Sequence, residues 1–349
     1  MGRMIKVGLL GLGAMGVKHF SIYRNLPDVE VAAIADLDLA RLKGDVSQVR
    51  LNGRRIAEDS LDLDGIKVFA DTGELLREMP GLDMIDICLP TTFHPKLIRE
   101  GLKAGVAVFC EKPLCLNFDE AEPLLNEIRD SGLPFNLGLC ARMNPPYLHA
   151  KEFIQAGKAG KVLSAVFRRF SPRLNNWFVS EEKTGGALLD LHIHDADYIN
   201  FLFGCPDAVT AHGVRNAVSQ QSGIDQLSAV YHYENGPFVI AEGGWTAAPD
   251  VPFERNFLIV GEKATLHLNH EGYKIYDSAG GLIEPGLGEM ETLDGWQMEL
   301  KYFTDCLREG AKPEQYQTLE SIADTYRILN AEKRSVLNRK TIVVKGNLK

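Results

Sequence analysis

MIKVGLLGLGAMG, residues 4–16, sets a short apolar β-type run directly against a glycine pattern, Gly11-x-Gly13-x-x-Gly16. The following segment, Ala14 to Asn25, reads as a helix, and Val29 to Ala35 as a second apolar strand ending in Asp36. A glycine triplet alone says little. Between a strand and a helix, with an acid 20 positions past its last glycine, it meets the full context of a dinucleotide fingerprint. Gly11 serves the tight turn, Gly13 lets the backbone approach a pyrophosphate, and Gly16 lets the helix pack close to the strands. Gly11, Leu12, Gly13, Ala14 and Met15 form the expected cofactor loop, with the positive end of the helix facing the phosphates. Asp36 is placed to accept hydrogen bonds from the ribose hydroxyls of NAD and to repel the 2′-phosphate of NADP. Leu37 follows it rather than an arginine, and Arg41 and Lys43 lie further on. NAD is the expected cofactor, with NADP less favoured.

Working outward, residues 41–65 are polar and turn-rich without one clear element. A strand (66–70), a helix (72–78) and another strand (83–89) then close on Pro90-Thr91-Thr92. A helix over 94–104 and a strand over 106–110 continue the alternation of a doubly wound parallel sheet. Ligands of such sheets sit beyond the carboxyl ends of the strands. That gathers the glycine loop, Asp36, Pro90, Thr91, His94, Glu111 and Lys112 around one crevice. A cation at position 112 could stabilise an alkoxide that develops as hydride leaves a substrate carbon. Glu111 reads either as orienting Lys112 or as an ordinary acid at a strand end.

A second informative stretch is TGGALLDLHIHDADYINFLFG, residues 184–204. At about 100° per residue, His194 falls about 40° from Asp190 and Asp197 about 20° the other way, so the three share a helical face. Charge on an otherwise apolar helix is costly unless paired, and a general acid/base would explain it. His192 and His194 diverge by roughly 160°, so a shared metal ion is not expected. A buried Asp–His pair joining two elements is the structural alternative.

The chain resembles the Gfo/Idh/MocA oxidoreductases, named for glucose–fructose oxidoreductase and inositol dehydrogenase. The resemblance rests on GLGAMG at 11–16, EKP at 111–113, ARMNPPY at 141–147, GKAGKV at 157–162 and the GGALLDLHIHDAD segment, and it spans essentially the whole chain. It implies that Lys112, Asp190 and His194 occupy the family's catalytic positions. It also implies a Rossmann domain followed by an α+β domain whose large, mainly antiparallel open sheet forms a homodimer or homotetramer. The substrate class implied is a sugar, cyclitol, sugar acid or nucleotide sugar.

The remaining segments fit two domains, a Rossmann domain over 1–141 and a substrate-binding domain over 142–349, with a C-terminal segment able to pack back on the first. Helices are expected over 117–131 and 147–156, and strands over 134–140 and 162–169. After the 184–204 helix come extended segments at 208–215, 226–234, 238–246, 257–268 and 273–277, with Asn235-Gly236 as a hairpin turn. Two helices, 293–309 and 319–338, and a short strand at 341–344 complete the reading. Arg142 and Asn144 read either as substrate contacts or as a cap or interdomain salt bridge. The polar loop between 171 and 186, with Trp177 and Phe178, reads as a substrate lid or as a loop anchored by Trp177.

Net charge is −9 with no Lys/Arg block, which argues against a nucleic-acid surface and gives no cause to expect membrane partners. The six cysteines show no paired spacing, so a reducing cytoplasm is expected. The basic, apolar start resembles a signal peptide but runs straight into the glycine pattern. No stretch approaches the roughly 18 apolar residues of a membrane span. The expected activity is NAD(P)-dependent hydride transfer between nicotinamide C4 and a secondary alcohol or ketone, with His194 as base. An NAD-using glycosidase with transient sugar oxidation and a non-catalytic NAD-binding regulator are the alternatives.

Overall fold

The computed structural model describes residues 3–50, 59–173 and 179–344. They form two compact units, Met1–Gly138 with Trp296–Leu319, and Leu139–Gly295 with Glu320–Lys349.

The first unit runs β1 (Ile5–Leu10), α1 (Ala14–Tyr23), β2 (Val29–Ala35), β3 (Lys67–Phe69), α2 (Thr72–Glu78), β4 (Met84–Ile87), α3 (His94–Ala104), β5 (Ala107–Glu111), α4 (Phe118–Ser131) and β6 (Phe135–Gly138). Its sheet has the order β3-β2-β1-β4-β5-β6, and every pairing is parallel. Such a sheet is covered on both faces, which is why β1 and β4 are mostly apolar, with Lys6 and Asp86 as the exceptions. The strand order reverses between β1 and β4, so their carboxyl ends form the switch point where ligands of this fold sit. Local chemistry fixes the helices. Asp71 caps α2 by accepting from the Glu74 N–H at 2.7 Å, and Asn117 caps α4 by accepting from the Asp119 N–H at 3.0 Å. Gly132 ends α4 in a left-handed conformation at φ 67°.

The sequence places the first domain boundary at 141, whereas the first unit ends at Gly138 and takes back residues 296–319. Packing and edge chemistry explain the return. Leu300, Phe303 and Leu307 join the core around Val7, Leu9 and Phe109, and the Phe303 ring meets Phe109 edge-on at 5.7 Å. Gln317 accepts from the Leu137 N–H at 2.7 Å and donates to its carbonyl at 2.8 Å. The amide thereby satisfies the open edge of β6.

The second unit contains α5 (Pro145–Gln155), β7 (Val162–Pro172), α6 (Glu181–Thr184), a π-helical turn (Leu188–His192) and α7 (Ile193–Phe203). Seven strands follow: β8 (Ala208–Arg215), β9 (Ile224–His232), β10 (Phe238–Ala247), β11 (Glu254–Gly261), β12 (Ala264–Asn269), β13 (Gly272–Asp277) and β14 (Leu282–Ile283). Helix α8 (Gly295–Glu309), largely of the first unit, then leads to α9 (Leu319–Asn338) and β15 (Ile342–Val343). The nine strands order as β14-β13-β12-β11-β7-β10-β9-β8-β15, with β7–β10 parallel and the other described pairings antiparallel.

Side-chain alternation gives this sheet two faces. On β7, Ala165, Phe167 and Arg169 are buried, while Ser164, Val166 and Arg168 are not. The covered face packs Phe167 and Phe257 against Tyr147 and Tyr198, whose rings meet at 4.7 Å. One sequence expectation changes here, because 257–268 is not a single strand. The chain turns at Glu262-Lys263, whose N–H groups donate to the Lys161 and Ala159 carbonyls at 3.0 and 2.9 Å. A Cβ on Gly261 would lie 2.3 Å from the Ala159 carbonyl oxygen, so only glycine passes there.

Candidate active site

The cofactor end of the first unit follows from the glycines. Gly11 sits at φ +98°, a left-handed conformation that disfavours any side chain. A Cβ on Gly16 would lie 1.8 Å from the Gly11 carbonyl oxygen, which makes that position sterically exclusive. Gly13 differs: a Cβ there would meet nothing within 4 Å, so the strip of backbone faces open space. Helix α1 begins at Ala14 with no side-chain cap and no acid in its first turn, which leaves Ala14 and Met15 at a helix start suited to an anion. Asp36 stands at the end of β2, as a ribose contact requires.

Asp36 also braces the loop. It is 7% exposed, and its Oδ2 accepts from the Leu12 N–H at 2.6 Å while Oδ1 accepts from the Asp38 N–H at 2.8 Å. Within the loop, the Leu12 side chain is fully buried and its N–H is given to Asp36. Arg41 lies 3.6 Å from Asp36, closer than its sequence distance suggests. The loop, the uncapped helix start and the acid together fit NAD.

At the end of β4, Pro90 is exposed and Thr91 is buried in a 3-10 turn spanning Thr91–Phe93. His94 departs from its expected cofactor role. It is 1% exposed, with Nδ1 at 2.7 Å from the Pro113 carbonyl and Nε2 at 2.7 Å from the Leu89 carbonyl. Both nitrogens face main-chain oxygens, and the neutral ring donates to one of the two at a time. Glu111 is also buried. Its carboxylate turns inward, with Oε1 at 3.2 Å from His19 Nε2 and Oε2 accepting from the Lys112 N–H at 3.1 Å. Lys112 itself is half-buried at the strand end, and its peptide bond to Pro113 is cis.

In the second unit, the 184–204 segment is not one regular helix. The π-helical turn at Leu188–His192 runs straight into α7, so a uniform 100° rotation does not describe it. Between residues 186 and 200, Asp190 and His194 are the two side chains that are not buried. Asp197, expected beside them, is fully buried. It accepts from Arg142 Nε at 2.8 Å and Nη2 at 2.6 Å, and from the Thr325 hydroxyl at 2.8 Å. Arg142 is 2% exposed and donates also to Ser321 at 3.0 Å, so of its two readings the structure supports the salt bridge, within this unit. Asn144 occupies the N-cap position of α5 without a side-chain capping bond, is 7% exposed, and its Oδ1 is buried with no hydrogen-bond partner among the described residues. Trp177 lies outside the described residues.

The other two polar residues of the segment are structural. Asp195 receives Arg169 through two bonds of 2.7 and 3.0 Å. His192 lies 3.3 Å from Glu332 Oε1, which also accepts from the Tyr231 hydroxyl at 2.5 Å. Burial works against charge on His192, but Glu332 outweighs it and raises its pKa above the ordinary 6.5. Arg169 and Glu332 carry no motif signal. Only the buried charges on the helix, each needing a partner, announce that they exist.

Fold and loop chemistry thus define a nicotinamide-dinucleotide-binding oxidoreductase of two domains. Comparison with known proteins makes the class specific. Residues 5–139 match the oxidoreductase family with an NAD-binding Rossmann fold, and residues 147–267 match the GFO/IDH/MocA C-terminal domain. The chain belongs to the Gfo/Idh/MocA family. It is 26% identical over 326 residues to scyllo-inositol 2-dehydrogenase (NAD(+)) of Bacillus subtilis, covering 90% of this chain and 89% of that one. It is 24% identical to inositol 2-dehydrogenase of Rhizobium meliloti over 97% of this chain and 99% of that one. In fold it resembles the WlbA dehydrogenase of Bordetella pertussis, solved with NADH and UDP-GlcNAcA, at TM-score 0.82 and 19% identity over 99% of each chain. No helix among the described residues is long and apolar enough to cross a membrane.

Proposed function

We propose that the protein oxidises a secondary alcohol of a sugar, cyclitol or sugar derivative, or reduces the matching ketone, with NAD as hydride carrier. The observation that carries this reading is the exposure pattern of the 186–200 segment. Every other side chain there is buried, and the two that reach outward are a carboxylate and an imidazole. Inositol dehydrogenases among the relatives support the substrate class.

When bound, NAD would supply the hydride acceptor at nicotinamide C4 for the carbinol C–H. The residues of this chain manage the proton and the oxygen. His194 takes the hydroxyl proton as general base, Asp190 hydrogen-bonds the substrate or holds the His194 ring, and Lys112 stabilises the developing oxyanion. In the reductive direction His194 returns the proton. Asp197, Arg142 and Asp195 hold the helix and touch no reacting atom in this scheme.

A row of apolar side chains on the uncovered face of the large sheet supports a homodimer or homotetramer. Val166, Ile240 and Leu258 lie in register on β7, β10 and β11, with Phe238 56% exposed beside them. Light scattering would read the assembly.

The chemistry is tested by screening polyols and sugars for NAD reduction, then repeating the best with Lys112→Ala and His194→Ala. Each variant should lose roughly 100-fold or more in kcat while still binding NADH, in keeping with an acid/base or oxyanion role. Unchanged alcohol-dependent NADH formation in both would sink the assignment. Aglycone release without net NADH would favour the NAD-using glycosidase.

A further inference from the structure

The chemistry above leaves two buried histidines of the first unit unused, and both end on residues that flank Lys112. His19, on α1, is fully buried between two carboxylates. Its Nδ1 lies 2.8 Å from Asp86 Oδ2 and its Nε2 lies 3.2 Å from Glu111 Oε1. Nδ1 is hydrogen-bonded to Asp86, whereas the approach of Nε2 to Glu111 is an ion-pair contact without hydrogen-bond geometry, so it attracts when the ring carries both protons. Burial opposes that charge, but the Asp86 carboxylate, by its charge and its hydrogen bond, outweighs it, and the His19 pKa stands well above 6.5.

The rest of the surroundings agree. Tyr23 donates to the same Asp86 oxygen at 2.9 Å, and Cys88 Sγ lies 3.3 Å from His19 Nδ1. Phe109 packs edge-on at 5.6 Å. His19, Asp86 and Cys88 are close enough to hold a metal ion. Each is already hydrogen-bonded to another member, however, and burial lifts the thiol far from ionisation. The cluster reads as a hydrogen-bond network.

His94 approaches from the other side of the lysine. It spans the carbonyls of Leu89 and Pro113, each at 2.7 Å. Burial lowers its pKa, the two carbonyls and Glu111 act in the opposite sense, and Lys112 adds to the lowering.

We propose that His19 and His94 are positioning residues for Lys112. Protonated His19 holds the Glu111 carboxylate by charge across 3.2 Å, the second oxygen of that carboxylate accepts the Lys112 N–H, and His94 Nδ1 stands at the carbonyl of Pro113. The lysine backbone is thereby pinned through both of its sequence neighbours. The catalytic part of this inference rests on Lys112 acting in the proposed reaction, whereas the pinning does not.

Three variants, His19→Gln, His94→Gln and Glu111→Gln, test it with two readouts. The first is amide hydrogen exchange across residues 110–114 with NADH affinity, which needs no substrate. The second is kcat against KM with the best polyol. His19→Gln and His94→Gln should speed exchange in that segment and lower kcat by about 10- to 100-fold, with KM and NADH affinity within about 3-fold, as a small misplacement of a reacting group does. Glu111→Gln keeps a neutral acceptor for the Lys112 N–H and lets an uncharged His19 accept from its amide. It should therefore retain most of the exchange protection, and it serves as the fold-preserving variant if His19→Gln does not accumulate.

Lower thermal stability with unchanged exchange and unchanged kcat in both histidine variants would overturn the proposal. Faster exchange in a protein that oxidises no polyol would support the pinning and sink the dehydrogenase reading instead.

Discussion

The segment around Lys112 and the helix carrying His194 both rest on buried charge, but of different kinds. Beneath Lys112 the cation is the imidazole of His19, set beside two carboxylates, while burial holds the His94 ring toward its neutral form. Beneath His194 the cations are guanidinium groups, with Arg142 on Asp197 and Arg169 on Asp195, each through two bonds. A guanidinium stays charged at any working pH and grips a carboxylate with a rigid fork. An imidazole can lose its proton. The guanidinium groups beneath the helix keep their charge at any working pH, whereas the imidazole beneath the lysine segment can lose its own.

Breaking the arginine half should give the largest effect on stability. Asp195→Ala strands the buried Arg169 guanidinium and should cost about 3–5 kcal/mol in urea unfolding. A paired Asp195→Leu and Arg169→Met variant should recover most of that, because removing both charges removes the unpaired one. The contrast is Arg99–Glu127 on the surface, equally bidentate but about 40% exposed on both sides. Glu127→Ala should cost no more than about 1 kcal/mol. Similar losses at the two sites would mean that burial does not decide the worth of these pairs.

The imidazole half is sharpened by pH. The His19 pKa in the folded chain stands well above the ordinary 6.5. A group raised on folding stabilises fully below its unfolded pKa, and the contribution fades as pH rises through the folded value. The stability difference between the parent protein and His19→Gln should therefore be greatest below about pH 6.5 and shrink in alkali. Thermal melts of both proteins from acid to alkali would read it. A difference constant with pH would mean that His19 contributes as a neutral ring.

Much of this was legible because one constraint repeats along the chain. The Rossmann half could be read from glycines and apolar runs, since the turn at Gly11 and the contact at Gly16 admit no substitute. Asp190 and His194 were legible as a pair because they are polar in an apolar segment. Asp197 could be read either as a substrate contact or as a tie to a neighbouring element, and only its buried partner Arg142, 55 residues earlier, decides for the tie. His94 and Glu111 were assigned to the cofactor because sequence gives the crevice a residue lines but not the direction of its side chain. Their real partners, Leu89, Pro113 and His19, are set by the sheet order. The return of residues 296–319 hinges on Gln317, whose amide matches a strand edge 180 residues earlier, and no local pattern points there.

The smallest predicted effect concerns Asp36, which belongs to neither kind of support because its partners are backbone N–H groups. Its two oxygens hold the Leu12 and Asp38 N–H groups, and Arg41 stands 3.6 Å away. Asp36→Ala should loosen the glycine loop and weaken both NAD and NADP by a shared factor. It should also remove the ribose hydrogen bonds of NAD and the repulsion of the NADP 2′-phosphate, which Arg41 would then face. The shared loss cancels in the ratio of the two dissociation constants, so the ratio carries the test. A charged hydrogen bond is worth about 1.5–3 kcal/mol, so preference for NAD should fall by about tenfold or more in titrations with each cofactor. An unchanged ratio would reduce Asp36 to a brace for Leu12 and leave cofactor choice to other residues.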